Sequence, residues 1–186
     1  MGTIAVHEFI ALDGVFENPA WTFEFGFDPA MGETLAAVTG AATAILLGRT
    51  TYEMFAPAWS TRTVEDDPGA PFFNDTTKYV VGAQEPAVEW GPSVRLGAYD
   101  AAAIQRLKDD TDGVIYVSGS GTLVRAMLAD GLVDHLHLFV FPVAVGAGQR
   151  LWADGVDSTK LQLNDSHVYT NGVVHLDYGP AQHDRV

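Results

Sequence analysis

The chain has 186 residues, 47% of them hydrophobic, which fits one globular domain with a sizeable core and leaves little room for a second. Its 24 acidic and 10 basic residues give a formal net charge of −14, so nucleic acid and anionic membranes would be repelled over most of the surface and neither is expected as a partner. Cysteine is absent, which excludes disulfides, thiolate metal sites and thiol nucleophiles.

The first fourteen residues carry His7 and Glu8 inside an apolar run and show neither a basic leader nor a cleavage signal, so they read as a strand rather than a targeting segment. No run approaches the roughly 18 apolar residues of a spanning helix, and the cytoplasm is the expected location. Residues 3–11 form the first strand, closed by the turn Leu12-Asp13-Gly14. An aromatic loop follows over 15–27. Asp28 then caps a helix with Pro29 at its first position, and Met31, Leu35 and Val38 recur at helical spacing up to Gly40.

Residues 43–47 are short and apolar, suiting a strand buried on both faces, and end at Gly48-Arg49. Thr50 to Glu53 has capping-box spacing, with Thr50 as the cap and Glu53 reaching back to its amide. Residues 57–77 hold Pro57, Pro68, Pro71 and Glu65-Asp66-Asp67 and read as one long surface loop. Short strands are expected at 78–81 and 94–96, and a helix capped by Asp100 and ended by Gly113. The order strand 114–117, glycine loop Ser118-Gly119-Ser120-Gly121 and helix 122–129 is a crossover unit of a parallel sheet. A long strand over 136–145 is interrupted by Pro142. The tail differs: strands at 161–163 and 173–178 flank Asn171-Gly172, a hairpin signal. The expected organisation is a single domain over 1–180 and a flexible tail over 181–186.

Two strand exits could bind anions. From Val117 through Gly119, Ser120 and Gly121 to Thr122, glycines would let a phosphate approach the backbone at a helix N-terminus, although the same turn also serves simply as a tight connection. Gly48-Arg49-Thr50 repeats the logic with one of only ten basic side chains, against the plainer reading of a surface arginine paired with a carboxylate. Together they suit a dinucleotide with two separated phosphate groups. A reduction would also need a proton source, for which Asp13 and Asp28 are the candidates; turn chemistry and helix capping are their plainer roles. The aromatic set Phe16, Trp21, Phe23, Phe25 and Phe27 could line a pocket for a flat heterocycle or anchor a loop. His135 and His137 share a strand face, but no third ligand is identifiable, so a polar face is the reading and no metal is expected. The frame of a hydrolase nucleophile elbow fails around Ser118.

The ordered set Ala11-Leu12-Asp13-Gly14, Leu46-Leu47-Gly48-Arg49-Thr50-Thr51-Tyr52-Glu53, Lys78-Tyr79-Val80-Val81, Gly119-Ser120-Gly121-Thr122-Leu123, Leu132-Val133-Asp134 and Phe141-Pro142-Val143 resembles the dihydrofolate-reductase-like superfamily. Within it, the set is most similar to the reductase domain of the riboflavin-biosynthesis deaminase-reductases, and the matches run from about residue 3 to 178. The resemblance implies a three-layer α/β fold: a central, mixed, mostly parallel sheet flanked by helices, with a C-terminal antiparallel hairpin. It also implies NADPH, with NADH possible, and a homodimer. The implied activity is hydride transfer to a pteridine-like or aminopyrimidine-like small molecule, as in riboflavin or folate metabolism. A 5-amino-6-(5-phosphoribosylamino)uracil reductase is one such enzyme. Gly48, Arg49, Thr50 and Thr51 would hold the adenosine-side phosphates, and Val117, Gly119, Ser120, Gly121 and Thr122 the pyrophosphate. Ala11 and Leu12 would adjoin the nicotinamide, with Asn18 and Trp21 on a loop facing the substrate. Two departures stand out. Gly82-Ala83-Gln84 replaces the hydroxyl or basic residues often found after the third strand, and Gly119-Ser120 replaces two adjacent glycines. A non-catalytic nucleotide-binding protein of the same fold is the alternative.

Overall fold

The computed structural model describes residues 1–152, 155 and 158–181. The expected tail over 181–186 lies, beyond Ala181, outside the described residues. The elements run β1 (Thr3–Ala11), a 3-10 helix (Pro19–Phe25), α1 (Pro29–Gly40), β2 (Ala42–Gly48), α2 (Arg49–Trp59), α3 (Ala70–Asp75), β3 (Lys78–Val81) and β4 (Ser93–Gly97). They continue with α4 (Ala101–Asp110), β5 (Val114–Ser118), α5 (Gly121–Ala129), β6 (His135–Phe141), β7 (Leu161–Val168) and β8 (Val174–Pro180). The eight strands form one sheet in the order β4-β3-β2-β5-β1-β6-β8-β7. Pairing is parallel from β4 through β6, and β8 is antiparallel to both β6 and β7.

Alternation along each strand explains the layers. Ile4, Val6, Leu46, Ile115, Val117, Leu136 and Leu138 point to one side and pack with Ile104 and Leu107 of α4 and Leu123, Val124 and Met127 of α5. The intervening residues point the other way. Ile45, Leu47 and Tyr116 meet Tyr52, Ala56 and Phe73 from α2 and α3, while Phe139 and Phe141 meet Met31 of α1. Each crossover must cover one apolar face, so both faces of the sheet are roofed by helices. None of the described helices is long and apolar enough to cross a membrane.

Several sequence expectations are corrected. Residues 57–77 are not one loop: α2 continues through Pro57 to Trp59, and α3 follows at Ala70–Asp75. Phe73 stacks on Trp59 at 4.1 Å, and Asn74 accepts from the Trp90 indole while donating to the Trp59 carbonyl, so burial of two aromatics overrides the proline punctuation. The capping box does not form. α2 begins at Arg49 with Gly48 as its cap, and Glu53 turns to Arg49 instead of the Thr50 amide. The aromatic loop contains a 3-10 helix, and β6 stops at Phe141 because Pro142 brings no N–H to the ladder.

Candidate functional site

Because β5 is inserted between β2 and β1, the exits of β2 and β5 are neighbours. They also touch. The Gly48 N–H donates to Ser120 Oγ at 2.7 Å, and a Cβ on Gly48 would sit 3.2 Å from that hydroxyl. Gly119 and Ser120 both adopt left-handed backbone, at φ 61 and 66. For a serine this costs about 1–2 kcal/mol, so the Gly48 bond and the tight turn must hold it there. A Cβ on Gly119 would lie 3.3 Å from Thr51 Cγ2, so the second turn packs on the start of α2. α2 and α5 thus begin side by side at the carboxyl end of the sheet, and no side chain among the described residues caps either helix start. Ligands of open α/β sheets bind at such ends.

The structure therefore brings Gly48, Arg49, Thr50, Thr51, Gly119, Ser120 and Thr122 together, with Ala11 and Leu12 at the end of the next strand, β1. Two members of the expected set face elsewhere. Val117 is fully buried in the α5-side core. A Cβ on Gly121 would come 2.1 Å from Phe16 Cζ, so that glycine accommodates an aromatic ring and its missing side chain does not open on the groove.

Arg49 Nη1 lies 2.8 Å from both carboxylate oxygens of Glu53. Glu53 also accepts from the Ala87 amide, which with Arg49 holds its carboxyl below the usual range. Gly82 is required beside it, since a Cβ there would meet Arg49 Cβ at 2.7 Å. This is the physical reason for Gly82 where hydroxyl or basic residues are common in the family it resembles. Sequence reasoning missed Arg95. From β4 it donates to the Ala83 carbonyl at 2.8 Å and pairs with Glu85, which places a second guanidinium on the turn that carries Gly82.

The two predicted acids are engaged elsewhere. Asp13 Oδ2 accepts from the Gly146 amide at 2.6 Å, and that bond holds its carboxyl below the ordinary range. Asp28 caps α1 through Ala30 and accepts from the hydroxyl and amide of Thr170, which hold it low as well. Both are carboxylates at neutral pH, with fastening roles: Asp13 ties the first turn to residue 146, and Asp28 ties α1 to the β7–β8 turn. Glu8 behaves oppositely. It lies in mid-β1 at 3% exposure, on the face of Ile4, Val6 and Ile10, and its Oε1 has no partner among the described residues. Burial pushes its carboxyl up to about 8, opposed by the Gly119 amide, so it holds a proton at neutral pH close to the glycine turn. Its only sequence signal was a charge at a core-facing position of an apolar strand. On the opposite face His7 Nδ1 lies 2.9 Å from Tyr116 Oη, and burial drives its pKa down to about 3.

Trp21, in the 3-10 helix, packs edge-on against Phe141 with centroids 5.3 Å apart, and its buried indole N–H has no partner among the described residues. Asn18 is exposed just before the helix, with left-handed backbone at φ 44.

Enterococcus faecalis dihydrofolate reductase superposes over 95% of both chains with a TM-score of 0.63 at 13% identity. The chain has the dihydrofolate reductase fold. Residues 94–175 match the family model of the RibD C-terminal domain, a span from β4 to β8 that includes the Gly119 turn but not Gly48 or Glu8. A Shewanella sp. PV-4 protein assigned to riboflavin biosynthesis superposes with a TM-score of 0.79 over 97% of this chain and 99% of its own, at 16% identity. For a pyrimidine reductase-like protein of Corynebacterium diphtheriae the TM-score is 0.65, over 97% and 92%, again at 16% identity. Two uncharacterized Bacillus subtilis proteins are similar in sequence. YyaP is 28% identical over 75 residues, 40% of either chain, and YwjB is 24% identical over 132 residues, 69% of either chain.

Proposed function

We propose that this chain is an NAD(P)H-dependent reductase acting on a small heterocycle of the pteridine or aminopyrimidine class, as a cytoplasmic homodimer. The observation that carries the reading is the direct bond between the two strand exits, which sets two helix N-termini and two glycine turns side by side. The match to the RibD C-terminal domain and the likeness to a pyrimidine reductase-like protein support the same class. The residues present fit a dinucleotide. The first-turn amides of α2 and α5 would face the phosphate oxygens, Gly48 and Gly119 letting the two turns pack closely enough to bring them together, and Arg49 with Arg95 offers cations at the adenosine end. The nicotinamide, when bound, supplies a hydride. This chain's part is to orient the ring and its acceptor. Among Asp13, Asp28 and Glu8, only Glu8 is protonated at neutral pH, which makes its carboxyl the candidate proton source.

Titration of the wild type with NADPH and NADH, followed by tryptophan quenching, tests the reading. Arg49→Ala should weaken NADPH roughly 10-fold to 100-fold more than NADH, the worth of a charge-assisted contact to the 2′-phosphate. Glu53→Gln, which frees the guanidinium, should tighten NADPH. Equal losses for both cofactors would remove Arg49 from this role. Failure of the wild type to bind either cofactor would overturn the reductase reading, whereas binding without NADPH oxidation across a pteridine and pyrimidine panel would favour a non-catalytic binding protein.

A further inference from the structure

Away from the groove, β6 and β8 put three imidazoles and a carboxylate on one face. His137 and Asp177 are register partners, as are Phe139 and His175, and His135 precedes His137 by two on the same side. The His135 and His137 rings stack within 6° of parallel, and both turn Nδ1 towards the Asp177 carboxylate. Those nitrogens lie 3.1 and 3.7 Å from its oxygens, and the three donor atoms lie within 4.8 Å of one another. Donors bound at about 2.0–2.2 Å in a tetrahedral zinc site are about 3.4 Å apart, so the two carboxylate distances bracket the edge of such a polyhedron.

We propose that His135, His137 and Asp177 form a binding site for a divalent first-row transition metal of the zinc class. Two imidazoles and one carboxylate are the borderline donor set that such ions prefer over magnesium or calcium. His175 adds an imidazole nitrogen 3.1 Å from His137 Nδ1, and Asn164 Nδ2 reaches Asp177 at 3.4 Å, which orients the carboxylate from outside as metal ligands require. Access is open on one side, because the His135 side chain is 42% exposed while those of His137 and Asp177 are 14% and 12% exposed. Asp165, register partner of Asp177 on β7, adds negative potential on that face. The pair considered from sequence lacked a third ligand, and β8 supplies it forty residues later. The site is separate from the reductase groove: His137 lies four residues, about 13 Å, before the carboxyl end of β6 at Phe141.

The test uses the full, untagged chain after chelation, titrated with Co2+ alone and then with Zn2+ as competitor, followed by the cobalt absorption bands and calorimetry. One Co2+ per chain is expected, displaced by Zn2+. Asp177→Asn and His135→Gln should each weaken binding by roughly 100-fold or more, since even outer-shell losses reach 10–100-fold. His167→Gln, on the neighbouring strand and outside the donor set, should bind as the wild type does. Thermal melts keep folding separate from metal loss. No saturable binding by the wild type, or binding that survives both ligand substitutions in folded protein, would overturn the proposal, whatever the nicotinamide titrations show.

Discussion

The strand-end turns and the interior of β1 treat the same functional group in opposite ways. At the turns, Asp13 and Asp28 meet backbone amides that no ladder uses: one short hydrogen bond holds Asp13 and three hold Asp28, and both carboxyls stay ionised. In the middle of β1 the ladders to β5 and β6 occupy the strand's amides, the Gly119 amide alone opposes the shift, and desolvation decides the state of Glu8. Along β1, then, the carboxylate at the chain reversal is a fastener, and the carboxyl of the strand interior keeps its proton.

The largest expected effect tests the interior. The folded protein keeps the Glu8 proton up to about pH 8, while the unfolded chain releases it near 4.5. Wild-type stability relative to Glu8→Gln should therefore fall as pH rises between those values, by on the order of 4 kcal/mol, and level off above pH 8. Urea midpoints of both proteins at pH 5, 6.5 and 8 would show it; a constant difference would mean that the carboxyl is solvated and the contrast is false.

A smaller effect tests the border between the two regions. Gly121→Ala should cost roughly 1–3 kcal/mol by crowding Phe16, and Phe16→Leu should recover part of that in a double-mutant cycle. If the alanine leaves stability alone and abolishes cofactor binding instead, Gly121 belongs to the groove. The smallest effect concerns the turns: Asp28→Asn should lower the melting temperature by a few degrees at pH 7. Because the folded carboxyl sits below 3.8, that contribution is present above the unfolded value and is lost as pH falls through the folded one, so the difference between the two proteins should shrink as pH falls below 3.8.

Local chemistry made much of the fold legible. Asp28-Pro29 announces α1, Asn171-Gly172 the final hairpin, and Val117 to Thr122 the β5–α5 connection, because caps and turns depend on a few adjacent residues. The element hidden by its prolines, α3, is held by Phe73 against Trp59, a contact between residues fourteen apart that composition does not reveal. The candidate site divides the same way. Both glycine exits could be read directly, whereas Arg95 and Glu8 gain meaning only from neighbours brought in by the sheet. Gly121 shows the limit of the motif. Its place in the glycine run matched a phosphate loop, but its missing side chain is explained by Phe16 from the β1 exit.

The bond from Gly48 to Ser120 has a further consequence. The serine oxygen accepts that amide, so its own hydroxyl hydrogen is not consumed by the bond. With the two exits pinned together, their spacing is set before any guest arrives. For the proposed dinucleotide that fixed spacing would act as a ruler: a molecule whose anionic groups match the span would lose little freedom to the protein on docking, and one of the wrong length would find no slack to borrow.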